Sequence, residues 1–264
     1  MYAINNVPLQ NATFGWIERA PTEPLSALVR RRRTMQVSGV DGVVPGLGST
    51  MEAVVLRFVV QTPRENLETL NALFGDAGTL TQVGLANRSV AYETLSSTPL
   101  PLNVDGDEIV DMQYMIQLPR AFWRATGTVT SPATPLDASV TVTGLFPGLS
   151  APVTDAIVRV KGESSGVRIV DSGGSWVSMP ALTASQYGRF HLDTGECFIT
   201  TSNTWTGGTD ASGLVDFGGI RGGFEFTPRL ASGDPSDREA RITVTAVTWP
   251  GATIEVRGRS AHQL

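Results

Sequence analysis

Two aspartyl triplets come closest to the residue types and spacing that chemistry requires: Ile169-Val-Asp171-Ser-Gly173 and His191-Leu-Asp193-Thr-Gly195. An aspartic protease brings two such loops together so that two carboxylates share a proton and activate water. Within one chain those loops come from two similar lobes far apart in sequence. Here barely one hairpin separates them, which leaves no room for lobes. Asp193-Thr-Gly-Glu196 also reads as a four-residue turn between two strand-like runs. Asp193 and Glu196 could form a glycosidase pair, but no aromatic-rich stretch surrounds them. Only two histidines, His191 and His262, and one cysteine, Cys197, are present. That leaves few ways to build a metal cage or a catalytic triad, and it excludes an internal disulfide framework. Cys197 reads as a small core hydrophobe, His191 as a solvated or hydrogen-bonded residue beside a turn, and His262 as part of a disordered terminus. The expected catalytic, cofactor-binding and metal-binding residues are none, and no cofactor is expected.

Arg30-Arg-Arg-Arg33 is the strongest charge feature, and the expected setting is a loop before a strand at 34–38. As a nucleic-acid grip it lacks supporting basic residues: residues 1–124 carry 10 Arg against 12 Asp+Glu, and residues 125–264 carry 10 Lys+Arg against 13. As an interface, its guanidinium forks would pair with a neighbour's carboxylates, and Asp105, Asp107 and Glu108 are the complementary candidates. Gly218-Gly-Ile-Arg-Gly-Gly223 lacks the strand–loop–helix context of a phosphate loop and reads as a turn into a strand at 222–227. Trp176, Tyr187 and Trp205 could serve as stacking platforms for a glycan, and the two tryptophans could equally be core.

The elements that would carry these residues are mostly strands. In the first half they are expected near 13–19, 34–38, 52–60, 79–83, 89–95 and 109–118. The last shows Met112, Tyr114, Ile116 and Leu118 alternating with polar residues, the mark of a half-buried strand. One helix interrupts them over 62–74: Thr62 would cap it, Pro63 would take its first position and Glu65 would complete a capping box. Leu67, Leu70 and Phe74 fall on one face, and Gly75 would end it. After the small, Pro-punctuated stretch 125–135, short strands follow at 138–143, 156–161, 166–171, 175–178, 188–192, 196–200, 222–227, 240–248 and 252–258. Their turn-rich spacing predicts a β-sandwich, with 240–258 as a closing hairpin. The reading is a mainly β chain. Its domains are a small β-barrel with one short helix over 1–124, a linker over 125–135 and a sandwich over 136–264.

Composition agrees with a globular chain. Of 264 residues 41% are hydrophobic, the formal net charge is -5, and Lys161 is the only lysine. No apolar run approaches the roughly 20 residues of a membrane helix, and no signal-peptide pattern opens the chain. Membrane insertion and sequence-specific nucleic-acid binding are not expected, and the chain is read as made in a bacterial cytoplasm.

In order along the chain stand Ile4-Asn-Asn-Val-Pro8, the strand and turn Val37-Ser-Gly-Val-Asp-Gly-Val-Val-Pro-Gly46, the strand–helix unit 52–75, and the strand pair 79–95. The exit through Phe122-Trp123 and the segment Gly188-Arg-Phe-His-Leu-Asp-Thr-Gly195 follow. Together they resemble the distal tail proteins of long-tailed, siphovirus-type phages. That resemblance implies a structural virion protein at the distal end of the tail and no enzyme activity. It implies a galectin-like sandwich and a homo-oligomeric ring, generally of six copies, joining the tail tube protein to the tail-tip hub of the baseplate. The pore would pass the tape measure protein and then DNA. Two other readings stand beside it: a carbohydrate-binding β-sandwich module, or a tail-tube or neck subunit.

Overall fold

The computed structural model describes residues 1–23, 30–35, 44–51, 53–82, 84, 87–100, 108–119, 122–219, 222–248 and 251–263; at 20–23, 30–35, 44–51 and 247–248 the backbone alone is described. These fall into two compact units, one from 1–31, 51–126 and 263, the other from 32–50 and 127–262.

In the first unit the expected alternation decides the architecture. Met112, Tyr114, Ile116 and Leu118 are all buried. Their strand, Ile109–Leu118, pairs antiparallel with Val54–Pro63 along its whole length, from Val54 opposite Leu118 to Pro63 opposite Ile109. The sheet runs in the order Val7–Pro8, Tyr2–Ile4, Ala77–Gln82, Arg88–Pro99, Ile109–Leu118, Val54–Pro63, Ile17–Glu23. It curls into a half-barrel, with one apolar face turned to the helix.

The helix starts later than its capping signals predict. Thr62 and Pro63 stay in the strand, opposite Val110 and Ile109. A 3-10 turn over Arg64–Asn66 then leads into the α-helix Leu67–Phe74. Thr62 is buried and its hydroxyl donates to the Pro63 carbonyl at 3.1 Å, so no capping box forms. Ten residues of strand pairing outweigh one capping side chain. The far end follows the sequence: Gly75 takes φ +41° and its N–H donates to the Asn71 carbonyl at 3.1 Å. Leu70 and Phe74 enter the core beside Phe58, Tyr92, Tyr114 and Trp123, and Leu67 packs at its margin.

Two sheets build the second unit. One runs Val129–Thr130, Thr253–Gly258, Ile157–Lys161, Tyr187–His191, Cys197–Thr200, Thr209–Asp210, with Thr134–Pro135 also on Thr253–Gly258. The other runs Ser139–Leu145, Arg238–Thr248, Ser164–Asp171, Trp176–Met179, Asp216–Gly218, with Arg229–Leu230 also on Arg238–Thr248. They pack face to face: Phe190 of the first meets Phe217 of the second at 5.4 Å between ring centroids. Cys197 is buried in that interior, which pushes its thiol up to about 11.

Three expectations fail here. The runs 240–248 and 252–258 are not a hairpin, because each completes a different sheet. Residues 222–227 form no strand; Phe226 makes one isolated bridge to Val153, and its fully buried ring needs no regular backbone. His262 is ordered and buried in the short strand Ala261–His262, anchored where the Ser150 and Ala151 N–H groups donate to the Ala261 carbonyl at 2.9 and 3.1 Å. The arginine run also lies elsewhere than expected. Arg30–Met35 is itself a strand, paired with Val44–Met51 in a two-stranded sheet.

Candidate functional site

The aspartyl triplets hold turns. Asp171 ends its strand with its carboxylate buried, accepting the Gly173 N–H at 2.6 Å and the Thr227 N–H at 3.1 Å. Asp193 is exposed in the predicted turn, which closes through the Gly195 N–H onto the His191 carbonyl at 2.9 Å. Asp171 ends a strand of one sheet and Asp193 follows a strand of the other. Glu196 is exposed, and its N–H donates to the Thr194 hydroxyl at 3.3 Å inside the same turn. Among the described residues no three His, Cys, Asp or Glu side chains converge on a possible metal position.

Burial raises the Asp171 carboxyl above the ordinary carboxylate value, against the pull of its hydrogen bonds to Gly173 and Thr227. Its folded form therefore holds a proton more readily than its unfolded form. That contribution to stability is fully present below the unfolded value, about 4, and is lost as pH rises through the raised folded value. Urea denaturation across the acid range is expected to show wild type losing stability relative to Asp171→Asn inside that window and running parallel to it above. A gap that never changes with pH would contradict this.

The stacking candidates separate. Trp176 lies half-buried under the Arg168 guanidinium, 4.1 Å from its ring, on one sheet. Tyr187 and Trp205 are brought together on the other by Arg159, whose guanidinium lies 5.4 Å from the first ring and 4.1 Å from the second. Arg159 also binds Glu255, through Nε at 3.0 Å and Nη2 at 2.5 Å. Arg189 is its cross-strand neighbour. Sequence reasoning passed over Arg159, Arg189 and Glu255, because a charged residue alternating with apolar ones in a strand reads as solvent-facing. His191, on the same strand as Arg189, half-buries its ring against Phe198 at 5.6 Å, and burial, then Arg189, lowers its pKa.

Of the interface candidates, Arg30 to Arg33 lie in a strand whose backbone alone is described. Asp105 and Asp107 lie outside the described residues, and Glu108 is exposed, its carbonyl accepting the Arg64 N–H at 2.9 Å.

Comparison with solved structures addresses the whole chain rather than any cluster of side chains. The chain is similar to the SPP1 Dit protein (gp 19.1), a paradigm of hub adsorption apparatus in Gram-positive infecting phages. The TM-score is 0.59 over 98% of each chain, at 10% identity. The fold is that of SPP1 Dit. At that identity the likeness settles the architecture, half-barrel, helix and sandwich in order, and leaves residue roles to be argued from this chain. A chain of the phage P2 baseplate in its activated conformation with Ca aligns at TM-score 0.34 and 10% identity, over 87% of this chain and 86% of that one. A fructofuranosidase from Schwanniomyces occidentalis complexed with fructosylnystose aligns at 0.22 and 8%, over 89% and 59%. Neither score carries an argument. No family model and no curated protein matches the sequence.

Proposed function

We propose that this chain is a structural component of a phage tail tip. Six copies form a ring that joins the tail tube protein to the hub of the baseplate, with a pore for the tape measure protein and DNA. The observation that carries this reading is the SPP1 Dit fold spanning 98% of both chains. Residues 1–124 are the ring-forming domain, 125–135 the linker and 136–264 the sandwich domain. The role needs no catalytic residue, and the hydrogen-bonding of Asp171 and Asp193 within turns supports that. Neither membrane insertion nor sequence-specific DNA binding belongs to it; a net charge of -5 suits a surface past which DNA slides without sticking. Individually weak contacts suffice, because closure of a ring multiplies them.

The candidate contact sets Arg30, Arg31, Arg32 and Arg33 of one copy against Asp105, Asp107 and Glu108 of the next. Reversing charge at Arg31 and Arg32 together is expected to raise the concentration needed for assembly by about tenfold or more, and to remove most of its salt sensitivity. Assembly unchanged in both respects would discard that contact. Sedimentation of the purified chain tests the ring itself: a species of six times 28.1 kDa supports it, and monomer at every concentration and in the presence of hub protein counts against it.

A further inference from the structure

The outer face of one sheet in the second unit holds a cavity lined mostly by polar and aromatic groups. Residues opposite one another on neighbouring strands share a face, as do positions two apart on one strand. Arg257 therefore shares its face with Thr130 and Ile157, which stand opposite it. Glu255, Arg159 and Arg189 form the next row of that face. Between those rows Val256, Val158 and Phe190 turn inward and are buried.

The loop between the strands Cys197–Thr200 and Thr209–Asp210 brings Trp205 onto the outer face. Its ring lies 4.1 Å from the Arg159 guanidinium and 5.5 Å from that of Arg257. Beside it opens a cavity of about 290 Å³, whose polar and aromatic lining is Thr128, Asp155, Trp205, Thr206, Arg257 and Arg259.

Charge is unevenly settled around this cavity. Arg159 is neutralised by Glu255, to which its Nε donates at 3.0 Å, and Arg259 by Asp155, to which its Nη2 donates at 3.2 Å. Arg257 stands between Glu255 and Arg259 in the sequence and is half-buried. Its side chain makes no ion pair or hydrogen bond among the described residues, and the ring of Trp205 is its neighbour. A guanidinium so placed gives up part of its hydration with no fixed counter-charge in return.

The rest of the lining suits hydroxyl groups. A sugar hydroxyl both donates and accepts. Here the Asp155 carboxylate accepts, the Arg259 guanidinium donates, and the hydroxyls of Thr128 and Thr206 do both. Trp205, set in place by Arg159, adds an apolar wall against which pyranose C–H groups pack. The volume lies at the small end of ligand sites, which span roughly 300–1,000 Å³. It admits one sugar-sized unit.

We propose that this cavity binds one acidic pyranose, with its ring against Trp205 and its anionic group on the Arg257 guanidinium. A carboxylate meets the planar fork through two parallel N–H donors. A phosphate ester offers the same fork its oxygens, and titration separates the two. The site is independent of ring assembly, and its failure would leave that reading untouched.

The test is calorimetric titration and thermal unfolding of the full chain with glucuronate, glucose 6-phosphate, glucose and acetate, at constant ionic strength in chloride. Concentrations reach about tens of millimolar, above the millimolar Kd expected of so small a ligand. At least one acidic sugar is expected to bind and to raise Tm. Glucose should bind at least about tenfold more weakly for want of the charged pair, and acetate more weakly for want of the ring. The tighter of the two acidic sugars identifies the anionic group. Arg257→Gln is expected to reduce the acidic sugars to the affinity of glucose and to leave glucose unchanged. Trp205→Ala should weaken every sugar together. Should that variant not fold, Thr128→Val, at an exposed position, must weaken glucose and the acidic sugars alike. No response to either acidic sugar in wild type, or an undiminished response in Arg257→Gln, overturns the site. So does glucose or acetate binding as tightly as the acidic sugars, the latter marking an adventitious ion only.

Discussion

Phe74→Ala is expected to destabilise the first unit by about 3–5 kcal/mol, the usual cost of truncating a phenylalanine in a packed core. Phe74 is 1% exposed and is the residue through which the helix enters the half-barrel. Its ring lies parallel to Tyr114 with centroids 3.7 Å apart, and it meets Phe58 at 6.5 Å. Its carbonyl holds the unit too, accepting the hydroxyls of Tyr92 and Thr94, each at 3.0 Å. Burial pushes the Tyr92 phenol up to about 12, consistent with a hydroxyl kept neutral against the end of the helix. Losing the ring opens a cavity between the helix and two strands that are fixed to each other along ten residue pairs and cannot collapse inward. A fall in Tm of about 10 °C in the first unit's transition would match this. A fall of only a degree or two would mean that the helix decorates the sheet and does not hold it.

Gly162→Ala is expected to cost about 3 kcal/mol, from two causes that a control can separate. Gly162 sits at φ +93°, between the strands Ile157–Lys161 and Ser164–Asp171. A Cβ there would stand 2.9 Å from the Cα of Ala252, a backbone atom with no rotamer to change. Gly148, at φ +72° with open space around its missing Cβ, is the control. Gly148→Ala should show the conformational cost alone, about 1 kcal/mol. Denaturant midpoints for the two variants measure the difference. Equal losses would show that the strand carrying Ile254 and Val256 yields to the added methyl.

What was legible in the sequence followed from period and punctuation. The alternation from Met112 to Leu118 named the buried face of its strand, the 3.6-residue spacing of Leu70 and Phe74 named the buried face of the helix, and Gly75 and Gly195 marked real turns. Pairing was not legible. The runs ending in Thr248 and Gly258 each show a clean period of two, which says which side chains share a face and nothing about which strand lies alongside. A short loop made the hairpin the economical guess, and the sandwich instead used the runs to complete opposite sheets. The start of the helix was misplaced for a related reason. Thr62 carries a capping signal, but ladder pairing reaches as far as Pro63 and overrides it.

The Arg159–Arg189 pair was missed because its burial is invisible locally. Nothing around Arg189 in the strand Tyr187–His191 signals that Gly208 will lie against it. Asp193 was read correctly as a turn residue for the opposite reason, since all of its partners lie within three positions. Function followed the same division. Side-chain clusters led toward proteases and glycosidases, while the order of elements led to the fold that the SPP1 Dit protein shares.

Negative-stain electron microscopy of the purified, concentrated chain tests the central claim most directly. Discrete rings with a central pore and sixfold class averages are the predicted result. Long stacked tubes, or isolated particles that stay single when the hub protein is added, would contradict it.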